Sequence, residues 1–162
     1  AIDATCKACV DMADNKVGAL IAFENEMMLG DIISTGVEIN AKVSKEMIEN
    51  IFFPKSPLHD GAMIIRDGKI CAAGCILPLS TDSDISSSLG TRHRAAIGLS
   101  QQTDAIVFVV SEETGVISIA MNGSLMRNLS KASLHKALTK LLNTETENGA
   151  DALNRIKFWK SK

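Results

Sequence analysis

No apolar run in this chain approaches the roughly 20 residues that a helix needs to span a bilayer. No basic segment followed by an apolar one opens it either. The start, "AIDATCKACVDMADNK", is mixed and polar, unlike a secretion signal. There is no excess of positive charge: 17 Lys and Arg stand against 19 Asp and Glu, and the net charge of −2 argues against a general nucleic-acid binder. Cysteine is sparse. Cys6 and Cys9 form C-x-x-C without a partner motif, and Cys71 and Cys75 lie in "CAAGC", inside a strand-like apolar run. Buried, reduced thiols of a cytosolic protein fit these four better than a zinc site does. Tyrosine is missing altogether. No repeat and no domain boundary is visible. The first residue is Ala rather than Met, so further sequence upstream is expected, and the lack of a membrane segment describes these residues only.

What is present fits one globular domain. The 162 residues are 46% hydrophobic and 22% charged, enough for a full core. Helical spacing of Ile2, Cys6, Cys9, Val10, Ala13 and Val17 predicts a first helix, and "GALIAFE" a strand. "MMLGDIISTGVEINAKV" reads as irregular, with Gly30 and Gly36 as breakers. Ser44 is placed to cap a helix from Lys45 to about Phe53, which Pro54 and Pro57 end. "GAMIIR" and "KICAAGCIL" form a hairpin about Asp67-Gly68. After a polar loop, "GTRHRAAIGLSQQ" reads as a helix with Thr91 near its N-cap. "DAIVFVVS" and "VISIAMNG" read as strands joined by "EETG". Ser130 caps a last helix that buries Leu134, Ala137, Leu138, Leu141 and Leu142, and a short extra helix fits around Ala152 to Trp159. Met27, Met28 and Met47 read as core or dimer-face fillers. The expected class is α/β: a single domain with a central mixed, twisted sheet of about five to seven strands flanked by helices.

Three loops carry the chemistry. In "LHDGA", Asp60 can accept a proton or bind a metal, His59 can ligate a metal, and Gly61 lets another group approach the backbone; a plain turn with Asp60 as its cap explains the same residues. In "GTRHRAA", a helix start offers outward N–H groups to an anion, with the Thr91 hydroxyl and the guanidiniums of Arg92 and Arg94 beside them. Residues two apart on a helix point to nearly opposite sides, so Arg92 and Arg94 should not grip one phosphate together. A solvated basic helix end is the alternative. In "VVSEETG", Ser111 ends a buried strand, where α/β sheets place ligands, and one of Glu112 and Glu113 could hold a metal or orient a hydroxyl. A simple hairpin turn about Gly115 is the alternative here.

Asp60-Gly61-Ala62, followed about thirty residues later by Arg92-His93-Arg94, resembles the DGA and RHR motif pair of the diadenylate cyclase (DAC, DisA-N) family. "NAKVSKEMIENIFFPKSPLHDGAMII", "CILPLS", "LGTRHRAAIGLS" and "VVSEETGVISIAMNG" extend the resemblance from about Ala8 to about Leu142. It is similar above all to the membrane-associated CdaA-type members. The resemblance implies an enzyme that joins two ATP molecules into cyclic di-AMP and releases two pyrophosphates, using a divalent metal such as Mn²⁺, Mg²⁺ or Co²⁺. It implies a face-to-face homodimer and a cytoplasmic catalytic domain, residues 1–142, tethered to the membrane by a segment upstream of this chain. Residues 143–162 become a tail without an assigned role. At the level of residues, Asp60, Arg92, His93 and Arg94 would be catalytic. Gly61, Ala62, Ile76, Leu77, Thr91, Arg92, Ser111 and Glu112 would bind ATP, with Leu77 meeting the adenine edge through its backbone. His59 and Glu113 would hold the metal. Related domains often carry an aromatic residue where Ile76 stands, so base packing here is expected to be aliphatic. A metal-dependent phosphohydrolase and a non-catalytic nucleotide sensor are the competing readings.

Overall fold

The computed structural model describes residues 1–143. The extra helix read around Ala152 to Trp159 lies outside these residues. Twelve elements follow in chain order: α1 (Ile2–Asp14), β1 (Ala19–Phe23), α2 (Gly30–Ile33), β2 (Val37–Lys42), α3 (Lys45–Phe52), β3 (Ala62–Arg66), β4 (Lys69–Cys75), α4 (Thr91–Gln102), β5 (Ile106–Val110), β6 (Ile117–Met121), β7 (Ser124–Met126) and α5 (Lys131–Asn143). The strands form one sheet in the order β2-β4-β3-β1-β5-β6-β7. Only β1 and β3 run parallel; the other neighbours are antiparallel. The sheet is mixed, as the sequence predicts.

Burial explains the composition of the strands. Every residue of β1, β5 and β6 is buried, because helices cover both faces, so these strands read as continuous apolar runs rather than alternating ones. On one face, α1, α3 and α5 bring Cys9, Met12, Ile48, Phe52 and Leu134 against Ile21, Phe108 and Ile119. Phe23 and Phe108 meet there edge to face, with ring centroids 5.5 Å apart. The other face belongs to α4, and the sheet beneath it is lined by Ala22, Ala62, Ala72, Val107 and Ala120. Small side chains let the helix lie close. Ala95 to Ser100 are six consecutive buried residues, more than one face of a helix can offer to a sheet. The second covering is the segment after β4. Ser80 N–H donates to the Arg94 carbonyl at 3.0 Å, and a Cβ at Gly98 would overlap the Pro78 carbonyl.

Local signals hold where they are strong. Ser44 caps α3, its hydroxyl accepting from Met47 N–H at 3.1 Å, and the Ser130 hydroxyl accepts from Ser133 N–H in the same way. Asp67 and Gly68 turn with φ of 48° and 71°, and Gly115 with 71°. The stretch read as irregular holds α2 and the edge strand β2. Asn40, at φ 49°, makes a bulge where the pairing with β4 shifts between Glu38 and Ala41, and this breaks the alternation that would mark the strand. β7 is also added by the structure, folding back from Asn122-Gly123, both at positive φ. Met27, Met28 and Met47 are 49%, 70% and 38% exposed, so the core part of their expected role is wrong. Cys6, Cys9, Cys71 and Cys75 are free thiols, and burial pushes Cys9 up to about 12.

In an exposed helix, glycine to alanine gains about 1 kcal/mol. Gly98→Ala is expected to do the reverse and lower unfolding stability by about 1–3 kcal/mol through overpacking on Pro78, as measured by urea denaturation.

Candidate functional site

A cavity of about 710 Å³ opens where the predicted loops meet. Asp60 and Gly61 reach it from the mouth of β3, and Ile76 and Leu77 from the exit of β4. Thr91, Arg92 and His93 come from the first turn of α4, and Ser111, Glu112 and Glu113 from the β5–β6 turn. Its size is that of a pocket for an organic ligand of a few hundred daltons. Three expected residues stand outside the lining. Ala62 is fully buried and serves the core beneath α4. Arg94 lies two positions beyond Arg92, which turns it away from the cavity, as helix geometry requires. His59 sits beside the cavity mouth with its Nδ1 on the Ser56 carbonyl at 2.7 Å.

The glycines have specific duties. Gly61 sits at φ 93°, and a Cβ there would come within 2.7 Å of the Cys75 carbonyl oxygen. The close approach expected at this position is therefore made by β4 itself, which brings the Asp60 segment onto the exit of that strand. Gly18, which no sequence signal flagged, gives Arg92 its place: a Cβ there would lie 2.7 Å from Arg92 Nη1. Nothing in the local sequence links the α1–β1 connection to a helix start more than seventy residues later. Thr35 is a similar case. Its hydroxyl accepts from Ile76 N–H at 2.8 Å and holds the β4 exit in position.

The start of α4 is electrostatically open. Gly90 is its N-cap without a side-chain cap bond, and no acidic residue occupies the first turn. The first-turn N–H groups and the helix dipole therefore face the cavity uncompensated. Arg92 Nη1 meets Glu112 Oε2 at 3.3 Å, while Arg92 Nε is buried without a hydrogen-bond partner. A buried unpaired donor is uncommon and marks a place where a ligand oxygen can be received. Ser111 Oγ accepts from Thr114 N–H at 3.2 Å, which leaves its own proton available. Opposite in character, Leu20, Ile76, Leu77, Leu79 and Leu89 give the cavity an aliphatic side, with no Phe, Trp or Tyr in the lining among the described residues. Arg127, also absent from the sequence reading, lines the same cavity from the end of β7.

Among the described residues, no group of three or more His, Cys, Asp and Glu gathers to hold a metal. A divalent ion that arrives with phosphates does not need such a cage; one or two protein ligands, phosphate oxygens and water complete its shell. The donors present fit that type. Asp60 lines the cavity, and the Ser56 carbonyl engages Nδ1 of His59, leaving Nε2 as the ligating nitrogen.

His93 is 6% exposed and its Nε2 has no partner. Burial holds its imidazole below the ordinary value, and the positive charge of Arg127 pushes in the same direction. The unfolded chain therefore binds a proton at this residue before the folded one does. As pH falls below about 6.5, unfolding stability is expected to fall, with the slope ending at the lowered folded value. Denaturation midpoints of the wild type and His93→Gln, compared between pH 7 and pH 5, check this: the variant loses less stability over that range.

The family model described as DisA bacterial checkpoint controller nucleotide-binding matches residues 6–125. The chain is 46% identical over 162 residues to the cyclic di-AMP synthase CdaA of Bacillus subtilis, covering 99% of this chain and 58% of that protein. It is 45% identical over 160 residues to a diadenylate cyclase of Listeria monocytogenes, covering 99% of this chain and 59% of the relative. The chain thus spans less than two thirds of the length of these relatives. The crystal structure of a double mutant of DacA from Staphylococcus aureus superposes with a TM-score of 0.84 at 47% identity, over 86% of this chain and 93% of that one. With the motif loops assembled around one cavity, the matched model and these relatives agree, and the chain belongs to the DisA bacterial checkpoint controller nucleotide-binding (DAC) family.

Proposed function

We propose that this chain is a diadenylate cyclase catalytic domain that binds one ATP in the cavity and, paired with a second copy, forms cyclic di-AMP. The observation that carries the proposal is the convergence of Asp60, Arg92 and the open start of α4 on one cavity, in a chain of this family. The aliphatic side formed by Ile76, Leu77, Leu79 and Leu89 suits a flat base, and backbone groups at Leu77 can read its edge. The helix start, Thr91 and the unpaired Nε of Arg92 suit phosphate oxygens.

The reaction is two displacements. The 3′-hydroxyl of each ATP attacks the α-phosphorus of the other; each P–O bond to pyrophosphate breaks as a new phosphodiester forms, and each hydroxyl loses a proton. Asp60 stands at the mouth of β3 either to take that proton or to hold the ion that acidifies the hydroxyl. Arg92 and the helix N–H groups stabilise charge growing on the phosphates. His93, whose imidazole burial holds below its ordinary value, carries an unpaired Nε2 that can donate or accept one hydrogen bond. When bound, a divalent ion (Mn²⁺, Mg²⁺ or Co²⁺), held by Asp60 and His59, would neutralise phosphate charge; Glu113 lines the same cavity without clustering with these two. A cavity of this size holds one nucleotide, so the second must come from a partner facing it across a two-fold axis. Tethering to a membrane remains part of the proposal. Among the described residues no helix is long and apolar enough to cross one, and the curated relatives extend beyond the matched length.

Incubation with ATP and Mn²⁺ or Mg²⁺ is expected to yield cyclic di-AMP and pyrophosphate by mass spectrometry. ADP or AMP alone would identify a phosphohydrolase, and binding without turnover a sensor. Asp60→Asn should reduce the rate about 10²–10⁴-fold, the scale of lost acid–base help. Activity per subunit should climb with enzyme concentration; a flat dilution series would remove the paired-copy mechanism.

Gly18→Ala tests the position of Arg92. A Cβ there meets the guanidinium end of Arg92 and, at 3.2 Å, the Glu112 Cβ, so both must shift and stability should fall by no more than about 1 kcal/mol. The turnover should nevertheless fall by up to about 100-fold, the scale of a 1 Å misplacement.

A further inference from the structure

We propose that Arg127 is a second arginine that grips the triphosphate in the cavity, supplied by the β6–β7 hairpin and independent of the motif loops. The inference rests on reading the cavity as an ATP site and goes beyond it in naming a phosphate ligand outside the segment matched by the family model, which ends at residue 125.

The backbone presents Arg127 deliberately. Met126 is the last residue of β7 paired to β6, opposite Ile119. Leu129 N–H then returns to β6 by donating to the Ile117 carbonyl at 3.1 Å. Between these two anchors, Arg127 and Asn128 leave the ladder, and Asn128 adopts φ 62°, a left-handed conformation that asparagine tolerates better than most residues. The kink fixes the base of a long side chain that lines the cavity together with Arg92 and His93.

Charge supplies the second argument. Three carboxylates, Asp60, Glu112 and Glu113, line the cavity against two guanidiniums, Arg92 and Arg127. Arg92 already meets Glu112. Among the described residues, no carboxylate pairs with Arg127. A structural arginine is ordinarily held by an acid; this one is exposed, lines the cavity and has no carboxylate partner among the described residues. It lines the cavity together with Thr91, Arg92 and His93 of the first turn of α4, where the N–H groups are open, and its charge acts on His93. A polyanion entering a cavity rich in acid needs that charge, and the fork of a guanidinium suits two phosphate oxygens at once.

The test compares ligands with and without phosphates on this chain. 3′-deoxy-ATP with Mg²⁺ lacks the attacking hydroxyl and cannot turn over, and 3′-deoxyadenosine lacks the triphosphate. For Arg127→Gln, calorimetry should show the dissociation constant of 3′-deoxy-ATP raised about tenfold or more, the scale of a lost charged hydrogen bond, with 3′-deoxyadenosine binding unchanged. Arg127→Lys, which keeps a point charge, should recover part of the loss. The proposal is overturned if 3′-deoxy-ATP binds the Gln variant within twofold of wild type, or if both ligands weaken equally, as a merely structural arginine would cause. Failure of the wild type to make cyclic di-AMP would overturn the cyclase reading instead, and the ratio of the two affinities would still decide the role of Arg127.

Discussion

The packing of α4 against the segment that leaves β4 is the constraint on which the site depends. Gly98 permits the contact by lacking a side chain, and the Ser80-to-Arg94 backbone hydrogen bond fixes its register. On the other side the helix rests on a bed of alanines. Held from both sides, α4 has little freedom to slide. Its first turn, with Thr91, Arg92 and His93, is therefore placed at a set distance from Ile76 and Leu77. The α4 end and the aliphatic wall of the cavity are positioned by one dry interface rather than by contacts within the cavity. This is the usual relation between a rigid scaffold and the loops it presents.

The site also keeps polar groups in a condition that a folded protein ordinarily avoids. The Nε of Arg92 and the Nε2 of His93 are buried without partners, and the helix start has no cap from a side chain or an acid. Each such group costs stability of about 1–3 kcal/mol when desolvated and unpaired. Two in one cavity, next to an open helix dipole, make a surface shaped for oxygen atoms that the chain does not itself provide. The central strands, buried on both faces, supply the stability that allows this.

The sequence disclosed the chemistry through short-range patterns and failed where position depends on distant partners. Asp60-Gly61, the start of α4 and the β5–β6 turn were legible because turns, caps and helix starts are local devices. The separation of Arg92 from Arg94 followed from helix geometry alone. The motif resemblance gives Ala62 to the substrate, yet as the first residue of β3 it is buried in the core beneath α4. Gly18, Thr35 and Arg127 could not be found, since each acts on residues forty or more positions away or follows a three-residue strand with no periodicity to read. The bulge at Asn40 hid β2 for a related reason: one extra residue inverts the pattern of sides on which a strand is recognised.

The ion pair between Arg92 and Glu112 means that the resting cavity already contains an internal anion, loosely held because Glu112 is largely exposed. An entering anion meets the open Nε of Arg92 and also competes with that carboxylate for Nη1. A guest with a single negative charge would only replace like with like and gain little. One carrying several charges engages the guanidinium and also the helix amides that the glutamate does not reach. The chain's own carboxylate thus weighs against small, singly charged anions, abundant in any cell.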